Sequence, residues 1–259
     1  MNRYESTNRL RFAGQSCVAN VLLEVCATSV RTACAAERGG ADRIELCADL
    51  DVGGVTPDPA LLASVLRSVS IPVHVLIRPR PGDFVYTPAE FDSMRRQVEH
   101  AKSAGAAGVA IGILLPDGRI DGPRTHVLAE LARPLHVTFH RAFDETPSLF
   151  DALEDVIRSG ADTLLTSGGA PDIVRGSAAI ARLRELAGVH LQIMAGAGLS
   201  IGNLADFVRN TGVFCLHGSF RLDSGSLRQG ADGIEQRVRE AAQLLWTAFS
   251  ETTEPQPVI

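Results

Sequence analysis

Lysine is almost absent from this chain of 259 residues: Lys102 is the only one, and arginine supplies the rest of the 25 basic side chains. Lys102 falls inside a helical pattern between Pro88 and Gly105. Schiff-base aldolase chemistry and pyridoxal phosphate (PLP) both need a lysine at the site, so both are excluded, as is a Walker-type nucleotide loop. No nucleotide cofactor is expected. Cysteine is scarce and odd in number: Cys17, Cys26, Cys34, Cys47 and Cys215 show neither CxxC nor CxxxH spacing. That excludes a disulfide framework and a zinc finger, and the thiols are expected to be reduced. Long apolar runs are missing too. No window approaches the roughly 20 consecutive apolar residues of a membrane span, and the first 20 residues lack the apolar core of a signal peptide. A cytoplasmic protein with no membrane partner is expected. There is no basic excess either: the formal charge is -5 and the arginines are spread along the chain, which argues against nucleic acid.

What is present is a large apolar fraction, 45%, enough for a substantial core. Short β-type runs alternate with helical patterns eight times. Strands are expected at 21–26, 42–47, 72–78, 107–113, 135–140, 162–166, 189–194 and 212–217. Helices are expected near 30–38, 59–68, 88–104, 124–132, 148–159, 176–187, 201–210 and 233–248, with Thr87-Pro88, Thr146-Pro147 and Ser200 as starting signals. Eightfold βα alternation predicts a single-domain (β/α)8 TIM barrel, α/β in class, over 20–250. The polar ends, 1–19 and 251–259, are expected to be disordered. Segments after helices are brief and Gly-rich, whereas those after strands are long. In such a barrel the long side is the C-terminal face, where active sites are built.

Side-chain parity then sorts each strand. With Leu23, Val25, Ile44, Leu46, Val73, Val75, Ile77, Leu191, Ile193, Phe214 and Leu216 outward against helices, the opposite parity points inward. That inner set is unusually polar: Glu24, Cys26, Glu45, Cys47, His74, Arg78, Thr138, His140, Gln192, Met194, Cys215 and His217. Unpaired buried charges would cost several kcal/mol each, so they form a network or line a wet pocket. The stretch VTFHRAFD, 137–144, gathers His140, Arg141 and Asp144 at the end of the fifth strand.

Each candidate has two readings. Glu24 and Glu45 on adjacent strands serve as acid and base, or are carboxylates neutralised by Arg78. Arg78 clamps an anionic substrate bidentately, or forms only a salt bridge. His140 shuttles a proton, or is hydrogen-bonded and inert. His217 ends the last strand and is favoured for the site, while His74 lies lower and is read as core. The glycine loops MAGAGLS, 194–200, and TSGG, 166–169, suit an anion held by backbone N–H groups, or are tight turns in which Gly196 and Gly198 take positive φ. Ser167 lacks the G-x-S-x-G surroundings of a nucleophile. Cys26 and Cys47, each two residues after a glutamate, suit Cu(I) with a thioether or imidazole, or simply fill the barrel.

Several long motifs in order, LLEVCATS (22–29), GADRIELCADL (40–50), GGVTP (53–57), IPVHVLIRPRPGDFVYT (71–87), VTFHRAFD, LLTSGG (164–169) and IMAGAGLS (193–200), resemble the CutC copper-homeostasis family over roughly residues 20–220. The resemblance implies a TIM barrel, a cytoplasmic location and a link to copper. It makes Cys26 and Cys47 the counterparts of proposed copper ligands, and Glu24, Glu45, Arg78, His140, Arg141 and Asp144 a polar pocket. Two functions follow. One is a cytoplasmic copper-binding homeostasis protein using Cys26 and Cys47, with Met194 or His140. The other is an acid/base lyase, isomerase or hydrolase for a small anionic, phosphorylated or sugar-like molecule. There Glu24, Glu45, His140 and Asp144 act on the substrate, and Arg78, Arg141, Ser167, Gly196, Gly198 and His217 bind it. A scaffold without metal ranks third, and a homo-oligomer is the default assembly. The 218–232 loop has no assigned role.

Overall fold

The computed structural model describes residues 21–221 and 231–253. Its strands are β1 (Leu22–Ala27), β2 (Arg43–Leu46), β3 (Val73–Leu76), β4 (Gly108–Ile111), β5 (His136–Phe139), β6 (Thr163–Thr166), β7 (Gln192–Gly196) and β8 (Cys215–Gly218). All pair in parallel in sequence order, and β8 closes on β1, making the (β/α)8 barrel the alternation predicts. The helices are α1 (Val30–Gly39), α2 (Pro59–Ser68), α3 (Pro88–Ala104), α4 (Gly122–Ala132), α5 (Leu149–Ser159), α6 (Ser177–Ala187), α7 (Ile201–Thr211) and α8 (Ala231–Thr253). The expected extension 1–19, most of the 218–232 loop and the last six residues lie outside the described residues.

Local chemistry sets the helix starts. Thr87 caps α3 through the Glu90 N–H, Glu90 returns the bond, and Pro88 takes the first turn. Ser29 with Thr32 and Ser200 with Asn203 box α1 and α7 in the same way. Thr146-Pro147 does not start α5. A 3-10 turn, Arg141–Glu145, intervenes after β5, Thr146 closes it, and α5 begins after Ser148. The seventh strand is also displaced from its expected 189–194: it begins at Gln192 and continues into the glycine motif, where Ala195 and Gly196 pair with Leu216 and His217.

The outward-parity residues Leu23, Val25, Ile44, Leu46, Val73, Val75, Ile77 and Leu216 are buried in one core cluster with the helices' apolar faces. Fully burying such a side chain contributes about 1.5–3 kcal/mol. The inner face carries the polar set in register, with Glu24 opposite Arg43 and His217, and Glu45 opposite Cys26 and His74. Glycines on β4 and just beyond it make room for rings. A methyl group on Gly108 would fall 2.4 Å from His74 Nε2, and one on Gly112 2.5 Å from His140 Nδ1.

Candidate active site at the barrel mouth

The inner ends of β1, β2 and β8 share one ionic network. Arg43, the first residue of β2, donates from Nε to Glu24 Oε2 at 2.5 Å. His217 Nδ1 donates to the other oxygen, Oε1, at 2.7 Å. Burial opposes the Glu24 charge, but the Arg43 guanidinium and the His217 bond outweigh it and hold the carboxyl far below its usual range. Burial also opposes charge on His217, yet Glu45 and Glu24 together keep its imidazole above the ordinary value. Its Nε2 faces Glu45 Oε2 at 3.8 Å. Burial lifts the Glu45 carboxyl; His217 pulls the other way and Glu24 adds to the lift.

This corrects one expectation. Arg78 does not neutralise the glutamates; Arg43 does so for Glu24. Arg43 shares the parity of Glu45 and Cys47, so alternation carried the signal, one layer lower than the residues weighed for the mouth.

Arg78 is instead spent on loop backbone. Its Nη1 donates to Val52 O at 3.0 Å and Gly54 O at 2.8 Å, and its Nη2 to Gly82 O at 2.7 Å. Three of its five N–H groups are thus used. Its Nε is buried with no partner among the described residues. The guanidinium carbon lies 4.8 Å from the centre of the Phe84 ring, and that ring lies 5.1 Å from His140. Phe84, which carries no polar signal in the sequence, thus packs against both side chains.

His140 Nδ1 accepts the Ala142 N–H at 3.2 Å. The neutral ring therefore carries its proton on Nε2. That nitrogen too is buried without a partner among the described residues. Burial, and next the Arg78 charge, push the imidazole down to about 3. His140 is a hydrogen-bond donor at neutral pH and not a base.

Asp144 is saturated. Its Oδ1 accepts from Thr166 Oγ1 at 2.5 Å, Ser167 N at 3.0 Å and Gly169 N at 3.1 Å, and its Oδ2 from Arg141 Nε at 2.9 Å. Ser167 Oγ lies 2.9 Å from Oδ2 and 2.7 Å from Ala170 O, fully buried behind the loop. The carboxylate binds the loop after β6 to the turn after β5 and fixes Arg141, whose side chain is 44% exposed.

These groups surround a cavity of about 790 Å3 at the barrel mouth. Cys26, Glu45, Cys47, Arg78, His140, Arg141, Asp144, Gly198 and His217 line it. Glu24, Ser167 and Gly196 stand behind that wall. Gly198 takes positive φ, 67°, as expected, but Gly196 does not; the strained neighbour is Ala197 at φ 100°. Gly196 is small for packing, because a Cβ there would meet Leu165 at 2.7 Å and His217 at 3.2 Å. His74 is buried in the barrel interior, 3.9 Å from Glu24.

The two thiols meet across the mouth, Cys26 Sγ and Cys47 Sγ being 3.2 Å apart. The Cys47 bond, then burial, raise the Cys26 thiol well above its usual value. One donor atom each from Cys26, Glu45 and His217 lies within 4.8 Å of the others.

The family model that matches this chain, over residues 21–222, is that of the CutC family. The chain belongs to the CutC family. It is 44% identical to a CutC family protein of Chromobacterium violaceum over 85% of this chain and 92% of the relative. The value is 45% against one from Caulobacter vibrioides, covering 83% and 86%. Among solved structures, CutC from Streptococcus agalactiae, whose name ties it to copper homeostasis, superposes with a TM-score of 0.73 at 29% identity, over 77% of this chain and 99% of that one. A thiamine phosphate pyrophosphorylase from Pyrococcus furiosus shares the fold, with a TM-score of 0.59 at 17% identity, over 88% and 96%. Every residue of the CutC site described above lies inside the matched span. No helix among the described residues is long and apolar enough to cross a membrane.

Proposed function

We propose that the barrel mouth is an enzyme site that binds a small anionic organic molecule and moves a proton on it. The observation that carries this reading is the pair Glu45 and His217. A carboxyl lifted by burial faces an imidazole held above its ordinary range, 3.8 Å apart, on the wall of a cavity of about 790 Å3. A carboxyl whose pKa is raised and an imidazole held in its charged form can serve as base and acid on one substrate. Glu24 is a positioning residue, setting the His217 ring through Nδ1. Arg78 and Arg141 supply positive charge, and the turn 197–200 forms part of the same wall. No nucleotide or PLP enters the scheme.

The test is a thermal-shift screen of small phosphorylated and carboxylated metabolites, followed by proton NMR in D2O for solvent exchange into any binder. A ligand should raise the melting temperature, and Glu45→Gln should keep binding while abolishing exchange. If no anion stabilises the protein, the reading fails.

The family name favours a second reading, in which the mouth takes Cu(I) as cargo through Cys26 and Cys47 with His217. The donor types suit a soft ion. The arrangement does not receive one as it stands: with metal–sulfur bonds of about 2.3 Å, sulfurs 3.2 Å apart would close the S–metal–S angle to roughly 90°. Cys26 and His217 must also release protons before they can ligate. In either reading the protein works in the cytoplasm, where both thiols stay reduced.

A further inference from the structure

Cys26, Glu45 and His217 stand on β1, β2 and β8, three neighbouring strands of the closed sheet, and all three line the cavity. Register brings them together: Glu45 is opposite Cys26, and His217 is opposite Glu24, one inward position below Cys26. A thiol sulfur, a carboxylate oxygen and an imidazole nitrogen thereby lie within 4.8 Å of one another, the one such set among the described residues. His217 is already posed as a metal-ligating histidine is. Its Nδ1 donates to Glu24, which fixes the tautomer and the ring direction, and its Nε2 faces Glu45 at 3.8 Å. Glu24 is itself held by Arg43.

Resting on the enzyme reading for its consequence, we infer that a divalent ion of the zinc class binds through Cys26 Sγ, the Glu45 carboxylate and His217 Nε2, its fourth position open to the cavity, and that occupancy stops proton transfer. Three protein ligands and one open position is the arrangement of zinc sites that face a pocket. Ligand atoms around a tetrahedral zinc lie about 3.3–3.6 Å apart, so the pair at 3.8 Å needs only a small closure. The mixed donors select the ion. A carboxylate oxygen is too hard for Cu(I), while a thiolate and an imidazole are too soft for magnesium or calcium. Cys47, fully buried against Leu76 and Ala110, stays outside the set. On binding, the Cys26 thiol and His217 Nε2 each release a proton to solvent, and the Nδ1–H stays on Glu24. The charges then cancel, Zn2+ and Arg43 against Glu24, Glu45 and the Cys26 thiolate. With Glu45 and His217 both bonded to the ion, neither base nor acid is left for a substrate.

The test uses the full chain, freed of metal with EDTA and titrated with Co2+ and then Zn2+. Co2+ should give intense visible bands of a tetrahedral site and a near-ultraviolet sulfur-to-metal band, both cleared by Zn2+. Cys26→Ser should lose the sulfur band, Glu45→Gln should weaken Zn2+ at least about tenfold, and Cys47→Ser should keep both the band and the affinity within about twofold. Zn2+ should also stop solvent exchange into any anion that binds, and EDTA should restore it. Absence of tetrahedral bands, or equal loss in Cys26→Ser and Cys47→Ser, overturns the site and leaves the enzyme reading standing, since exchange is measured in EDTA. Tight zinc with exchange at its EDTA rate overturns the switch. If no anion binds, the switch falls with the enzyme reading, and the cobalt spectra still decide the site.

Discussion

Glu24 and His217 face each other across the seam where β1 and β8 close the barrel, joined by a 2.7 Å hydrogen bond beneath the cavity floor. The same carboxylate neutralises Arg43. Glu24→Gln should therefore destabilise the fold by about 3–5 kcal/mol, because it strands a buried guanidinium, and should lower the His217 pKa. Replacing both partners, Glu24→Leu with Arg43→Met, should recover most of that loss. Urea titrations of the two variants against the parent measure it; equal losses in the single and double variants would refute the pairing.

Stability should fall on the acid side from about pH 6.5 downward. His74, His136 and His140 all have depressed values in the fold, chiefly from burial, with His136 at about 4 and His140 at about 3. Below 6.5 the unfolded chain therefore binds protons that the folded chain refuses, at about 1.4 kcal/mol per pH unit for each histidine. His217 has the opposite sign. Its raised value gives stabilisation that is complete below 6.5 and lost as pH rises through its folded pKa. Denaturation midpoints from pH 4 to 9 should peak near neutrality, and His140→Gln should flatten the acid limb by about one proton.

If copper is the cargo, apparent Cu(I) affinity should climb with pH, since Cys26 and His217 must both lose protons. Cys26→Ser with Cys47→Ser should abolish it in competition with a chelator. Thiol-independent binding, or binding indifferent to pH, would remove the copper reading and leave the enzyme reading untouched.

Gly196→Ala should cost about 1–3 kcal/mol and displace the His217 ring, since its methyl meets Leu165 at 2.7 Å and His217 at 3.2 Å. Gly198→Ala should cost less at the ring, as its conflict is with Asp172 and with its own φ of 67°. Comparing the histidine resonances of the two variants separates packing from turn geometry.

The barrel, its eight strands and the inner face were legible because alternation is a local signal: Glu24, Cys26, Glu45, Cys47 and His217 all point where parity puts them. Partners were less legible. Arg43 obeys the same parity, but its importance comes from the register between β1 and β2, which sets it opposite Glu24. The carbonyls that anchor Arg78 belong to loops whose paths no period encodes. Asp144 takes all its donors but Arg141 from residues 22 to 25 positions onward, a distance that only the folded β5–β6 unit brings together. β7 was misplaced because Ala195 and Gly196 look like a turn in composition and are held extended by pairing with β8.

The ionic floor formed by Arg43, Glu24 and His217 ties robustness to chemistry in this barrel. An apolar redesign of Glu24 and Arg43 can produce a protein that survives heat as well as its parent, yet it leaves the His217 ring without the carboxylate that orients it and with only Glu45 to favour its charge. Directed evolution under heat selection alone should therefore drift toward sturdy, silent variants at these positions. Selection that also demands turnover should hold all three residues together.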